Sequence, residues 1–72
     1  MTAIPAKVLA VHRRRDQYHV AVRIGFAGSF NVLIFGKNRP FAGSCRDGQL
    51  DLVYHQDPGL EEGQELPLWT IQ

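Results

Sequence analysis

From Tyr18 to Phe26, every second residue of this chain is apolar, and small or polar residues separate the apolar positions. Residues on one face of a β-strand recur with a period of two, and the β-branched and aromatic side chains found here favour strands. The pattern therefore predicts a strand over residues 18–26 with one face buried.

Four further segments have strand-like patterns. Residues 7–12 and 30–35 are apolar on both faces, and residues 30–35 are therefore expected to lie centrally or at an interface. Residues 50–54 alternate in the same way as residues 18–26. Residues 65–71 complete the set, and Pro67 restricts that strand to an edge or to the closing position of a barrel.

The connections between these segments are polar or rich in glycine. Residues 13–17 are predicted to form the turn of a hairpin. Residues 36–48 read as a long loop that ends in the turn signal Asp47-Gly48. Residues 57–63 predict a turn or a single helical turn, with Asp57 as N-cap.

These elements predict an all-β protein. Five short antiparallel strands, with at most one short helical turn, fit a small five-stranded barrel formed by residues 1–72 as a single domain. The oligonucleotide/oligosaccharide-binding (OB-like) and SH3-like arrangements both remain open. Closing the sheet would remove exposed strand edges, which so short a chain cannot easily cover.

The small size of the chain also predicts self-association. A domain of 72 residues buries only about 60–65% of the surface that its unfolded chain exposes. Cys45 is the only cysteine, so no internal disulfide can compensate. If Ile34 faces inward, Leu33 and Phe35 face outward and form an apolar patch. We therefore expect a homo-oligomer held together through Leu33 and Phe35.

Charge is divided sharply along the chain. All eight lysines and arginines lie before residue 47, and six of the seven acids lie after residue 46. Residues 1–46 carry a charge of +7 and residues 47–72 one of −6, although the whole chain carries only +1. Such asymmetry indicates a polyanionic partner or the pairing of unlike halves between molecules.

The basic half has the chemistry of a nucleic-acid interface. Three consecutive arginines, Arg13 to Arg15, lie in the predicted hairpin turn, and guanidinium groups bind phosphate bidentately and stack on bases. Aromatic side chains among basic residues are typical of single-strand binding surfaces. The candidate contacts are Arg13, Arg14, Arg15, Arg23, Lys37, Arg39, Phe41 and Arg46, and the acidic half is expected to lie on the opposite side.

No catalytic or metal-binding motif is present in the sequence. The three histidines match no standard ligand spacing, so neither a metal nor another cofactor is predicted, and we do not expect an enzyme. The longest apolar run, residues 32–35, is far shorter than a membrane span. The lone cysteine and the absence of a signal sequence favour the cytoplasm.

Two hypotheses follow from the sequence. The first is a non-enzymatic small barrel that binds nucleic acid, with single strands favoured, through phosphate contacts and base stacking. The second is a protein–protein adaptor or assembly subunit, encoded by a phage or another mobile element, whose basic half meets the acidic half of a second copy or of another protein.

Overall fold

The computed structural model describes residues 2–36 and 38–71, and these residues form an all-β protein. They contain seven strands and one 3₁₀ turn. The elements in chain order are β1 (Thr2–Ala3), β2 (Ala6–Arg14), β3 (Gln17–Ile24), the 3₁₀ turn (Phe30–Val32), β4 (Leu33–Phe35), β5 (Ala42–Arg46), β6 (Gln49–Tyr54) and β7 (Leu68–Thr70).

The strands form two antiparallel sheets. The larger sheet has the order β2-β3-β6-β5, and the smaller sheet has the order β1-β7-β4. Backbone hydrogen bonds between the start of β2 and the segment before β7 connect them. The Val8 amide donates to the Gln64 carbonyl at 2.8 Å, and the Leu66 amide donates to the Ala6 carbonyl at 3.0 Å.

The core lies on one face of the larger sheet and is covered by the smaller one. The expected inward positions of β3, Val20, Val22 and Ile24, are all buried, and they oppose the buried Leu50 and Leu52 of β6. Each fully buried aliphatic side chain contributes about 1.5–3 kcal/mol relative to an exposed one. The period-two pattern therefore identified the central hairpin and its buried face correctly.

Two tight turns lie at opposite ends of the larger sheet. Asp47 and Gly48 connect β5 to β6 with φ angles of 49° and 77°, so the predicted turn is present there. Positive φ at both central residues is the geometry that the Asp-Gly pair favours in hairpins. The β2–β3 turn holds Arg15 at φ 56°, in a region that residues other than glycine rarely adopt.

The expected strand over residues 30–35 is wrong in its first half. Residues Phe30–Val32 form the 3₁₀ turn, because the Ser29 hydroxyl accepts a hydrogen bond from the Asn31 amide at 3.2 Å. A helical turn breaks the alternation of inward and outward residues and resets which side chains face the core. Leu33 is consequently buried, with 2% of its surface exposed, and the prediction that it faces outward is also wrong. Phe35 is half-buried and packs against the core.

One predicted connection differs from the structure, and a second takes one of its two expected forms. The segment read as a loop over residues 36–48 contains β5, whose Ala-Gly-Ser-Cys-Arg sequence lacks the β-branched residues that indicate strands. Residues 57–63, expected to form a turn or a single helical turn, form turns without a helical one. The Asp57 carboxylate instead accepts a hydrogen bond from the Gly59 amide at 2.9 Å, which closes a side-chain turn.

Neither sheet closes into a barrel within the described part of the chain, so barrel closure stays a prediction. The described residues also contain no helix with the length and apolar character needed to cross a bilayer.

Candidate nucleic-acid interface

The β2–β3 turn presents the three consecutive arginines to solvent. Arg13 and Arg14 end β2, Arg15 begins the turn, and all three side chains are exposed. The guanidinium carbon of Arg13 lies 5.8 Å from the ring centroid of Tyr18, within the range of a cation–π interaction. The predicted hairpin with arginines at its tip is therefore present, but its turn is limited to Arg15 and Asp16, because residues 13, 14 and 17 extend the two strands.

A second exposed group lies beside the end of β6. The Phe41 ring is 48% exposed and stacks on the His55 imidazole, with 3.7 Å between ring centroids and an angle of 10° between planes. The Phe41 amide donates to the Val53 carbonyl at 3.0 Å, which places the ring at the entry to β5. Arg39 and Asn38 share a pocket of about 220 Å³ with this stack.

Strand register brings these two groups to the same end of the larger sheet. Arg13 pairs with Tyr18, and Tyr18 pairs with Tyr54. Phe41 directly precedes β5, the strand that neighbours β6, and its amide bonds to the Val53 carbonyl beside Tyr54. Neighbouring strands lie about 4.8 Å apart, so Arg13 and Phe41 are separated by about 15 Å across the sheet. We call this surface the tip end. It consists of Arg13, Arg14, Arg15, Tyr18, Arg39, Phe41 and His55.

Two other predicted contacts, Arg23 and Arg46, lie at the opposite end of the strands. Lys7, Arg23, Gln49 and Arg46 are successive partners across β2, β3, β6 and β5. These four side chains share the outward face, and all are exposed. Arg23 is five residues from Tyr18 along β3, a distance of about 17 Å. The structure therefore separates Arg23 and Arg46 from the arginine turn.

Acidic residues lie among this second group of cations. Asp51 is exposed, lies two residues after Gln49 on β6, and accepts a hydrogen bond from the Gln49 side chain at 2.9 Å. Glu65 pairs with Lys7 in an isolated β-bridge. The expectation that the acidic half lies on the opposite side is wrong here, because antiparallel pairing places acidic segments beside basic strands.

An open groove of about 780 Å³ lies where the two sheets meet. Lys7, Arg23 and Glu65 line it together with Leu66 and Trp69. We call the four cross-strand partners and this groove the junction end. Sequence reasoning missed Trp69, although it is the only tryptophan and lies within the segment predicted as the last strand.

The outward face of the smaller sheet is apolar beside this groove. Trp69 pairs with Ala3 on one side and with Ile34 on the other. Ile71 is 68% exposed and Val32 is 40% exposed. The apolar patch expected at Leu33 and Phe35 is therefore not present, because Leu33 is buried and Phe35 packs against the core, and the exposed apolar side chains belong to the 3₁₀ turn and to the residue after β7.

Two buried groups have shifted pKa values. Burial raises the pKa of Tyr54 to about 12, and its hydroxyl has no hydrogen-bond partner among the described residues. Burial also raises the pKa of the Cys45 thiol, which packs against the core. A thiol whose pKa is raised is a poor nucleophile at neutral pH.

Lys37, one of the predicted phosphate contacts, lies outside the described residues. Within the described ranges, no group of three or more histidine, cysteine, aspartate or glutamate side chains converges as metal ligands would.

No family model matches this chain, and comparisons with curated proteins and with solved structures returned no significant match.

Proposed function

We propose that this protein is a non-enzymatic nucleic-acid-binding module and that the tip end is its main contact surface. One observation carries the proposal. The register of the larger sheet places the exposed Arg13–Arg15 turn at the same end as the exposed Phe41–His55 stack. Phosphate-binding and base-stacking groups are thereby combined at one end of the sheet, with about 15 Å between the strands that carry them.

The side chains of the tip end suit single strands better than duplexes. Bases of a single strand expose their flat faces, and stacking on an aromatic side chain contributes about 1–3 kcal/mol per base. Guanidinium groups add bidentate contacts to phosphate oxygens, which position the strand without reading its sequence. The expected specificity is therefore for single-stranded nucleic acid with little dependence on base sequence.

Charge at the tip end favours a polyanion. Four arginines lie there, and the nearest acids along the chain are Asp16 in the turn and Asp57 in the wall of the small pocket. Arg23 and Arg46 would extend the contact along the outward face for a longer strand, but Asp51 lies beside them and weakens that extension.

The proposal includes a partly open barrel of the OB-like or SH3-like kind. Residues 2–8 pair with residues 63–70, so the smaller sheet continues from the free edge of β2. At the opposite edge of the larger sheet, the Phe30 ring lies directly over Gly43 of β5. Slow amide exchange at Leu66, comparable with that in β3, would support the connection along β2 that such a barrel requires, whereas rapid exchange there would contradict it. A cytoplasmic location also stays part of the proposal.

A salt titration tests the proposed function. Fluorescence anisotropy would measure the affinity of the whole chain for labelled single-stranded and double-stranded oligonucleotides at several salt concentrations. Contacts to roughly five phosphates give a log–log slope near −3.5 on a single strand, because each contact releases about 0.7 of a counterion. Absence of binding to either oligonucleotide at low salt would reject the proposal.

The apolar face of the smaller sheet favours a second candidate, self-association or adaptor function. Val32, Ile34, Trp69 and Ile71 would form the contact in place of the buried Leu33. Sedimentation equilibrium of the intact chain and of the Ile71→Lys variant would test it. A wild-type monomer at high micromolar concentration would rule out self-association.

A further inference from the structure

The hairpin that carries the arginine turn also brings two histidines together. His12 of β2 and His19 of β3 are direct partners in the antiparallel ladder. Side chains of directly opposed residues project from the same face, and their Cβ atoms lie about 4.5–5.5 Å apart. His12 is exposed and His19 is half-buried, so solvent and ions reach the pair.

Both imidazoles are available as ligands. None of the side-chain hydrogen bonds among residues 2–36 and 38–71 uses either ring. Neutral imidazole nitrogens bind Zn²⁺ at about 2.0–2.1 Å and suit Cu²⁺ and Ni²⁺ as well. Two rings separated as described can therefore direct one nitrogen each at a common ion without moving the backbone.

The third histidine has a different environment. His55 is stacked on Phe41, with 3.7 Å between the ring centroids. It does not form a three-ligand group with His12 and His19, since no such group is present among the described residues. His55 therefore serves as a matched control, because it has the same chemistry and lies near the same end of the larger sheet.

We propose that His12 and His19 form a two-histidine binding site for a borderline divalent transition-metal ion, with solvent completing the coordination. Two protein ligands are fewer than the three that hold a catalytic zinc ion, so the ion should exchange readily. The order of affinity should follow the general series for nitrogen ligands, with Cu²⁺ above Ni²⁺ and Cu²⁺ above Zn²⁺. Mg²⁺ prefers oxygen ligands and should not bind this pair.

Calorimetric titration of the intact chain with Cu²⁺, Zn²⁺ and Mg²⁺ tests the site. We expect one Cu²⁺ ion per chain, weaker binding of Zn²⁺ and no heat from Mg²⁺ at this site. The His12→Asn and His19→Asn variants should each lose about tenfold or more in Cu²⁺ affinity, at least the loss seen when supporting residues of metal sites are changed. His55→Asn should retain the wild-type affinity.

Electron paramagnetic resonance of the Cu²⁺-loaded chain provides a second, structural readout. The spectrum of the wild-type protein should show hyperfine coupling to two imidazole nitrogens, and that of His12→Asn should show coupling to one. If His19→Asn proves unstable by circular dichroism, the exposed His12 variant still decides the question. Undiminished Cu²⁺ affinity in His12→Asn, or an equal loss in His55→Asn, would overturn the proposal.

Discussion

The two ends of the larger sheet carry similar numbers of cations but differ in their neighbours. At the tip end, the exposed Arg13–Arg15 turn adjoins the exposed Phe41–His55 stack. At the junction end, Lys7 and Arg23 line a groove that also contains Glu65 and Leu66. The tip end thus combines four arginines, with Asp16 and Asp57 as nearby acids, with flat aromatic surface, whereas the junction end combines mixed charge with apolar surface.

This difference shows why net charge along a sequence is a poor guide to a binding surface. The basic half of the chain is continuous in sequence, yet antiparallel pairing distributes it over two ends of a sheet. Acidic residues lie near both ends, but at the junction end Asp51 and Glu65 belong to segments that pair directly with the basic strands. Polyanion binding should therefore depend mainly on the tip end, and apolar contacts mainly on the junction end.

The largest expected effect concerns Tyr54, which forms part of the floor of the tip end. Its pKa is about 12 in the folded chain because of burial, compared with about 10 when unfolded. The stabilising contribution of the neutral phenol is complete below pH 10 and is lost as the pH rises towards 12. The unfolding free energy should fall by roughly 2–3 kcal/mol over this interval, at about 1.4 kcal/mol per pH unit.

Urea unfolding at several alkaline pH values measures this loss. The Tyr54→Phe variant should show a smaller fall, because it removes the buried phenol. Identical alkaline profiles for Tyr54→Phe and the wild type would contradict the assignment to Tyr54.

A substitution at Gly43 tests the packing of Phe30 over β5. A Cβ atom at this position would overlap the ring of Phe30 and approach the Asp51 carbonyl oxygen to 3.1 Å. Gly43→Ala should therefore destabilise the fold by about 1–3 kcal/mol, the usual cost of overpacking. Gly25→Ala is the control, because its Cβ would meet only Pro5 at an ordinary 3.7 Å. Equal stabilities of the two variants in thermal unfolding would argue against the packing described for Phe30.

Aromatic substitutions separate the two ends directly. Phe41→Leu removes the exposed stacking surface at the tip end and should weaken single-strand binding by about 1–2 kcal/mol, or roughly 5- to 30-fold. Trp69→Leu removes the aromatic ring of the junction end and should change this affinity much less. Anisotropy titrations of both variants at one salt concentration make the comparison, and a greater loss for Trp69→Leu would reverse the assignment of the ends.

The smallest expected effect lies in the turn itself. Arg15 has φ 56°, a conformation that glycine adopts without the steric cost that an arginine incurs. Arg15→Gly should raise the unfolding free energy by about 1 kcal/mol and reduce the salt slope of binding by about 0.7. Chemical denaturation and the salt titration measure the two changes. A variant that is less stable than the wild type would show that Arg15 makes contacts beyond those described.

The hairpin of β2 and β3 and its arginine turn were predictable, because alternating apolar residues define a buried face. The Asp47-Gly48 turn was predictable as well, since few dipeptides adopt its geometry so readily. The strand β5 was not, because its small and polar residues gain their strand conformation only by pairing with β6. Whether Leu33 faces the core or solvent depended on the 3₁₀ turn at Phe30–Val32, and a pattern of apolar residues alone does not indicate such a turn. The Phe41–His55 stack and the His12–His19 pair depend on register between strands, which a sequence pattern does not specify.

A comparison of two triple variants with the same change in charge tests the central claim most directly. One variant replaces Arg13, Arg14 and Arg15 by serine at the tip end, and the other replaces Lys7, Arg23 and Arg46 by serine at the junction end. Both remove three positive charges from exposed positions, so a nonspecific effect of net charge would be equal in the two. Thermal unfolding of each variant establishes that it remains folded before its affinity is measured.

Salt titrations with one single-stranded oligonucleotide then decide between the ends. The tip variant should lose about two units of salt slope, since each arginine neutralises a phosphate that releases about 0.7 of a counterion. At about 0.05 M salt this corresponds to a loss of roughly two to three orders of magnitude in affinity. The junction variant should lose less than one unit. Equal losses in the two variants, or a larger loss in the junction variant, would contradict the assignment of nucleic-acid binding to the tip end.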